Sequence, residues 1–204
     1  YDMGWDGEGI YTVSQNDTLL NAEGDNTTPR AAGWCGYLTA TDSVQVWCRN
    51  DANPNSCKMI VSAKPAIQFG GTTQDHNAFY GLDFRMGRQA VIWFSNAADS
   101  NFFYHCNISQ AGMDVGMNAA CVGGSNLGYW SSWNTFVGCN FEEVSAANSA
   151  TSGFGVLTYG QNHMRIDSCT FDRIHQTGVY WKNDGPSSSP YAVGNVVSNC
   201  VFDG

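Results

Sequence analysis

The eight residues Asn134-Thr-Phe136-Val-Gly-Cys139-Asn-Phe141 form a motif that occurs five times in this 204-residue chain. The copies cover residues 77–84, 101–108, 134–141, 164–171 and 195–202. If the Leu or Cys near the middle of each copy is numbered position 0, apolar residues stand at positions −3, 0 and +2 in every copy. The position 0 residues lie 24, 33, 30 and 31 residues apart and are Leu82, Cys106, Cys139, Cys169 and Cys200. A period in this range indicates a repeat architecture.

The spacing inside the motif predicts strands rather than helices. Positions 0 and +2 are separated by one strand repeat, so their side chains point to the same face. Positions −3 and 0 can both point inward only if the chain bends between them. Position −1 holds small or turn-tolerant residues, among them Gly81, Gly138 and Ser168. We therefore predict two short strands that meet at a bend in each repeat, with Leu82 and the four cysteines in one interior column.

A third strand is predicted after each of the first four motifs. Most of these segments are rich in β-branched or aromatic residues. They are Ala90–Phe94, 112–117, 153–159 and 178–182. The glycine-rich residues 119–133 are predicted to form a long loop. Three strands per period, with uneven loops between them, predict the coils of a parallel β-helix, in which neighbouring coils hydrogen-bond at a spacing of about 4.8 Å.

This arrangement resembles the pectin-lyase-like superfamily, which includes polysaccharide lyases, glycoside hydrolases and phage tailspikes. The resemblance implies an all-β fold: a single-stranded right-handed parallel β-helix with about three strands per coil. We expect an irregular N-terminal cap over residues 1–57 and β-helix coils over residues 58–204. No third strand follows the last motif, so we expect the coils to be truncated at the C-terminal end.

Composition and charge narrow the range of partners. The chain has 18 acidic and 9 basic residues and a net charge of −9. Nucleic acid is therefore excluded as a partner, because its binding requires a basic surface. No segment is apolar for about 18 residues, so we expect no membrane span. Acidity of this kind is typical of a secreted protein, and we expect an extracellular location or one on a cell or virion surface.

The cysteines could form disulfides, and the acidic residues near the N-terminus could bind a metal ion. The four cysteines at position 0 are predicted to stay reduced, because parallel side chains in register seldom align for a disulfide. Cys48 and Cys57 flank a turn-rich segment, and either a disulfide or two free thiols fit there.

We expect no resident cofactor. Asp2, Asp6 and Glu8 could hold Ca²⁺, but the run matches no complete calcium loop, and a solvated turn is the alternative.

The resemblance implies a saccharide groove on the outer face of the third strand and the turn before it. Alternation on that strand would direct Val179 and Trp181 inward and Tyr180 outward, and either Trp93 or Phe94 outward. The candidate catalytic residues in this strip are Asp114, Glu143, Asp172, His175 and Lys182. The candidate substrate-binding residues are Tyr129, Trp130, Tyr159, Arg173 and Tyr180.

These residue types suit two reactions. Two carboxylates on adjacent coils could act as acid and base in glycoside hydrolysis. Alternatively, Lys, His or Tyr could remove the proton next to a uronate carboxyl group while an arginine neutralises that carboxylate. We thus expect a β-helix protein that binds and cleaves an extracellular polysaccharide. The alternative is a non-catalytic adhesin, fibre or tailspike domain, in which outward apolar residues such as Phe94 and Leu157 would favour a homotrimer.

Overall fold

The computed structural model describes residues 12–16, 18–23, 34–38, 43–53, 56–62, 65–69, 74–88, 90–94, 98–112, 119–124, 131–144, 153–182 and 192–203. Within these ranges the chain forms 21 strands and a short 3-10 helix at Arg49–Asp51. The fold is all-β, as predicted.

The N-terminal part consists of two small sheets. One holds β1 (Thr12–Gln15) between β2 (Thr18–Leu19) and β6 (Met59–Ser62), all antiparallel. The other holds β4 (Trp34–Leu38) between β3 (Asn21–Glu23) and β5 (Ser43–Trp47). β6 thus pairs within the N-terminal part, and the first strand that joins the coils is β7 (Ile67–Phe69).

Three parallel sheets of five strands each make up the rest of the described chain. Sheet 1 contains β8 (Ala78–Tyr80), β11 (Phe102–Tyr104), β14 (Thr135–Val137), β17 (Arg165–Asp167) and β20 (Val196–Ser198). Sheet 2 contains β9 (Asp83–Arg88), β12 (Asn107–Gly112), β15 (Asn140–Val144), β18 (Thr170–Ile174) and β21 (Val201–Asp203). Sheet 3 contains β7, β10 (Ala90–Phe94), β13 (Ala120–Gly124), β16 (Phe154–Tyr159) and β19 (Thr177–Lys182). The chain visits sheets 1, 2 and 3 in turn, which is the path of the predicted right-handed parallel β-helix.

Residues with positive φ mark the bends of each coil. At position −1, between sheets 1 and 2, φ lies between 50° and 62° in all five coils, at Gly81, His105, Gly138, Ser168 and Asn199. Position −6 also has positive φ throughout, at His76, Ser100, Trp133, His163 and Gly194. A third set stands at position +4, at Met86, Gln110, Glu143 and Arg173. The predicted bend at position −1 is confirmed, and it explains how positions −3 and 0 both face the interior.

The interior is filled by columns of like residues from successive coils. Phe103 and Phe136 at position −3 stack with ring centroids 4.7 Å apart, and Phe141 and Phe171 at position +2 stack at 4.6 Å. Aromatic pairs of this kind add about 0.5–1.5 kcal/mol each beyond their burial. The repetition of one residue type at one position therefore produces a continuous core along the axis of the solenoid.

The cysteine column at position 0 is confirmed in part. Cys106, Cys139 and Cys169 are buried, Cys200 is half-buried, and all four are free thiols. Each Sγ atom donates to a main-chain carbonyl of the preceding coil, as in the contact from Cys139 to Phe103 O at 3.3 Å. Leu82 does not belong to this interior column: it is 46% exposed, because β8 and β9 are the terminal strands of sheets 1 and 2.

One predicted third strand was placed wrongly. The strand of sheet 3 in the second coil is β13 (Ala120–Gly124), not residues 112–117, and Gly112 is the last residue of β12. The glycines that indicated a loop are needed within the strand, because a Cβ atom on Gly123 would come within 2.7 Å of the Trp93 ring. Residues 113–118 lie outside the described part of the chain.

Candidate functional site

The outer face of sheet 3 carries a row of residues in register. Trp93, Gly123, Leu157 and Tyr180 are strand partners on four successive coils. Val91 and Ile92 are both buried in the core, as are Cys121 and Val122 in the next coil. Two consecutive inward side chains shift the alternation of inward and outward side chains by one residue, as a β-bulge does. Trp93 is therefore the outward residue of its strand, while Phe94 points inward and stacks on Phe69.

Tyr180 presents its ring on this outer face. It is 42% exposed and stacks on Phe154 of the preceding coil, with ring centroids 5.4 Å apart and an angle of 16° between the planes. Phe154 is itself buried in a small outer cluster with Ala120, Leu157 and Tyr159. The ring of Tyr180 is thus held flat against a packed apolar support. Val179 and Trp181 pack against the core, which confirms the predicted alternation on this strand.

Tyr159 and Lys182 extend the same surface at the carboxyl ends of β16 and β19. They are strand partners, and the Lys182 Nζ atom lies 5.3 Å from the centre of the Tyr159 ring. A cation–π contact of this kind contributes about 0.5–1 kcal/mol at an exposed site. It also fixes a positive charge beside the two tyrosines.

The candidate acidic residues lie mainly on sheet 2. Glu142 and Asp172 are strand partners, and Arg173 bridges them. The Arg173 guanidinium is 2.9 Å from Asp172 Oδ2 and 3.5 Å from Glu142 Oε2. The arginine therefore satisfies part of the charge of both carboxylates, and these three side chains form one exposed ion-pair network.

Glu143 is held differently. It stands at position +4, in the column that also contains Gln110 and Arg173, and its backbone has a φ of 58°. The Gln110 Nε2 atom donates to Glu143 Oε2 at 3.0 Å, and Gln110 is buried. The neutral amide of Gln110 therefore orients the Glu143 carboxylate but does not neutralise its charge. Gln110 was not predicted, although alignment of the second and third motifs at position +4 would have paired it with Glu143.

His175 follows β18 directly and is exposed. It lies against Gly153 in the preceding coil, where an added Cβ atom would come within 2.6 Å of the His175 Cβ. This contact places the imidazole at the corner between sheets 2 and 3. It therefore lies between the acidic group on sheet 2 and the tyrosines on sheet 3.

The predicted strip is thus divided between two sheets. Tyr159, Tyr180 and Lys182 share the outer face of sheet 3, and Asp172 and Arg173 pair on sheet 2, with Glu143 in the same column as Arg173. Asp114, Tyr129 and Trp130 lie outside the described residues.

Within the described ranges, no group of three or more His, Cys, Asp or Glu side chains is arranged to hold a metal ion. The acidic residues Asp2, Asp6 and Glu8 lie outside those ranges. No helix in the described part of the chain has the length and apolar character needed to cross a membrane. Comparison of the chain with protein-family models, with curated proteins and with solved structures finds no significant match.

Proposed function

We propose that this protein binds an extracellular polysaccharide along the outer face of sheet 3, as a member of the pectin-lyase-like superfamily. The observation that carries this proposal is the Tyr180 ring, which is 42% exposed on β19, the terminal strand of sheet 3, and is supported by Phe154 of the preceding coil. Aromatic rings bind sugars through the apolar C–H surface of the pyranose. A ring that is already fixed by packing loses little conformational entropy when the sugar binds.

Lys182 indicates the kind of sugar. Its ammonium group lies beside Tyr159, at the end of the same surface. A uronate carboxylate on the bound chain would find a cation there, whereas the acidic chain as a whole, with a net charge of −9, repels anions elsewhere. An acidic polysaccharide is therefore the preferred ligand of this face.

Glu143 is the residue we assign to cleavage. Its carboxylate is positioned by Gln110 and can act as general base or general acid. In a lyase reaction, Glu143 would take the proton next to the uronate carboxyl, electrons would flow to form the C=C bond, and the glycosidic oxygen would leave with a proton. His175, at the corner between sheets 2 and 3, is the candidate donor of that second proton.

A non-catalytic binding protein is the second candidate function, and the Arg173 network favours it. Glu142 and Asp172 already share the guanidinium, so neither carboxylate is free of a cationic partner. The guanidinium contacts one oxygen of each carboxylate, so that oxygen is less accessible to a substrate. A fibre or adhesin would retain the Tyr180 surface without requiring any free acid. Phe94 and Leu157, the residues expected to favour a homotrimer, are both buried.

A panel of soluble acidic and neutral polysaccharides tests both functions. Binding is measured by affinity electrophoresis, and cleavage by new reducing ends and by the absorbance of unsaturated products. Tyr180→Ala should abolish retardation by the acidic ligand, whereas Tyr80→Ala, which removes an exposed tyrosine from sheet 1, should not. Glu143→Gln should abolish cleavage and preserve binding. Binding without cleavage by the unmodified protein would establish the second candidate, and unchanged binding by Tyr180→Ala would refute the proposed surface.

A further inference from the structure

A second column of side chains lies at position −6, on the corner that precedes sheet 1. Its members are His76, Ser100, Trp133, His163 and Gly194. The amide of each of the first four donates to a carbonyl of the next coil, as in the bonds from Ser100 N to Ser132 O at 2.9 Å and from Trp133 N to Asn162 O at 3.0 Å. The column is therefore in register along the solenoid and lies on a different face from Tyr180.

Trp133 is the unusual member of this column. It is 56% exposed, and its backbone φ is 62°. Bulky residues with positive φ are uncommon, because the left-handed region brings Cβ close to the backbone. An exposed tryptophan gains little from burial that would offset this cost. Every residue of this column has positive φ, so the bend imposes that conformation, and the large exposed ring is what distinguishes Trp133.

One face of the indole is covered and the other is turned toward a small residue. The His163 ring stacks on Trp133 with centroids 4.0 Å apart and planes 8° from parallel. His163 in turn lies against Gly194, which has no side chain to displace it. On the opposite side, the next residue in the column is Ser100, whose side chain is too short to reach under the outer part of the indole. The next ring in the column is that of His76, two coils from Trp133.

Among the residues that the structure describes, this arrangement leaves a slot beside Ser100. Two coil spacings separate the Trp133 and His76 backbones by about 9.6 Å. Half the thickness of an aromatic ring must be subtracted from this separation at each side. The space that is left is enough for one pyranose ring, which is thicker than an aromatic ring. The Trp133 and His163 rings are nearly parallel and one coil apart, so the faces of these two rings lie along the solenoid axis.

The polar groups beside the slot select a neutral sugar. Ser132 N donates to Asp99 Oδ1 at 2.6 Å, and Asp99 N donates to Asp75 Oδ1 at 2.7 Å. Both carboxylates are thus fixed in the column next to Ser100 and Trp133, with a second oxygen that can accept a sugar hydroxyl. Two carboxylates would repel a uronate or a sulfated sugar, whereas they suit the hydroxyl groups of a neutral one.

We propose that the corner formed by Trp133, Ser100 and His76 is a second saccharide site, which binds one neutral pyranose against the free face of the Trp133 indole. It is distinct from the proposed site at Tyr180, because it lies at the corner that precedes sheet 1 rather than on the outer face of sheet 3, and because it selects the opposite charge class of sugar. A chain with two such sites would contact two different polysaccharides, or two regions of one mixed polysaccharide.

The test uses the full chain and neutral oligosaccharides built from glucose, xylose, mannose or galactose, with binding measured by calorimetry and by tryptophan fluorescence. Ser100→His fills the slot with a ring, and histidine is already accepted with positive φ at positions 76 and 163 of the same column. Trp133→Asn removes the ring and keeps a residue that tolerates positive φ. At least one neutral oligosaccharide should bind, each variant should weaken that binding at least tenfold, and Tyr180→Ala should leave it unchanged.

Three results would overturn this second site. One is the absence of binding by any neutral oligosaccharide. Another is binding that neither Ser100→His nor Trp133→Asn alters while circular dichroism shows both variants folded. The third is a dimer in sedimentation that Ser100→His dissociates, since the slot would then be filled by a second copy of the chain. None of these results bears on the proposed site on sheet 3. If Tyr180→Ala loses binding of the acidic ligand, that site is supported even when the second site is refuted.

Discussion

Asn101 and Asn134, one coil apart at position −5, are joined by a hydrogen bond inside the solenoid. Asn101 Nδ2 donates to Asn134 Oδ1 at 3.2 Å, and the Asn101 backbone N–H donates to the same oxygen at 3.0 Å. Both residues are fully buried. Asn77, in the preceding coil, repeats the arrangement and donates to Asn101 Oδ1 from both its backbone and its side chain. Met164 interrupts this ladder, and Asn195 resumes it by accepting from Met164 N at 2.8 Å.

Asn101→Ala should destabilise the protein by about 1–3 kcal/mol, because it removes the side-chain bond to Asn134 and the acceptor of two bonds from Asn77. The shift in the midpoint of urea denaturation measures this effect. Asn140→Ala is the matched control: Asn140 is exposed and accepts only a surface bond from Thr170 in the contacts observed, so its loss should change stability by about 0.5 kcal/mol or less. Equal effects of the two substitutions would show that the ladder adds nothing beyond a surface bond.

Gly138→Ala should cost more than Gly81→Ala, although both glycines occupy position −1 with φ near 60°. At Gly81 an added Cβ meets nothing within 4 Å, so only the backbone penalty of about 1–2 kcal/mol applies. At Gly138 the same atom would come within 2.5 Å of the His105 Nδ1 atom. Thermal denaturation of the two variants measures the difference.

A double substitution isolates the His105 contact. In a His105→Gly background the ring is absent, and Gly138→Ala should then cost no more than Gly81→Ala does in the unmodified chain. If the penalty at Gly138 persists without the ring, the close approach of His105 is not its cause.

Asp167 should make stability depend on pH in the acid range. The hydrogen bond from Arg165, followed by those from Ser198 and Asn199, lowers the pKa of the Asp167 carboxyl to about 2. An unfolded aspartate has a pKa of about 3.9. The folded state therefore favours the ionised form, so this contribution is complete above about pH 4 and is lost as the pH falls toward 2.

Asp167→Asn should accordingly lower the melting temperature at pH 6 and have a smaller effect at pH 2. The measurement is the difference in melting temperature between the variant and the unmodified protein at each pH. Arg165→Met, which removes the main partner of the carboxylate, should give the same pattern in weaker form. A difference that stays constant from pH 6 to pH 2 would contradict the assigned ion pair.

The thiols of the interior column should react only after unfolding. Cys106, Cys139 and Cys169 are buried, and burial also raises the pKa of the Cys121 thiol well above its ordinary value. Reaction with iodoacetamide requires the thiolate and access to it. Mass spectrometry after brief alkylation should therefore find Cys57, which is half-buried, modified before these four. Modification of Cys106, Cys139 and Cys169 at the rate of Cys57 in the folded protein would disprove the interior column.

Local sequence determined the repeat and the strands of sheets 1 and 2. The apolar residues at positions −3, 0 and +2 recur without exception, and the small or polar residues at position −1 allow the left-handed bend on which the prediction depended. Both features act within one motif of eight residues. The interior column of cysteines followed from them, apart from Leu82, whose exposure depends on which coils surround it.

Contacts between coils decided the rest. Gly123 belongs to a strand because Trp93 of the preceding coil covers it, a fact that the residues around Gly123 do not encode. Arg173 pairs with Glu142 because the register of β15 and β18 brings them together, although 31 residues separate them in the chain. The slot beside Trp133 exists because Ser100 lies one coil away. Side chains on adjacent coils are about 4.8 Å apart in space and about thirty residues apart in sequence, so only the stacked solenoid brings them into contact.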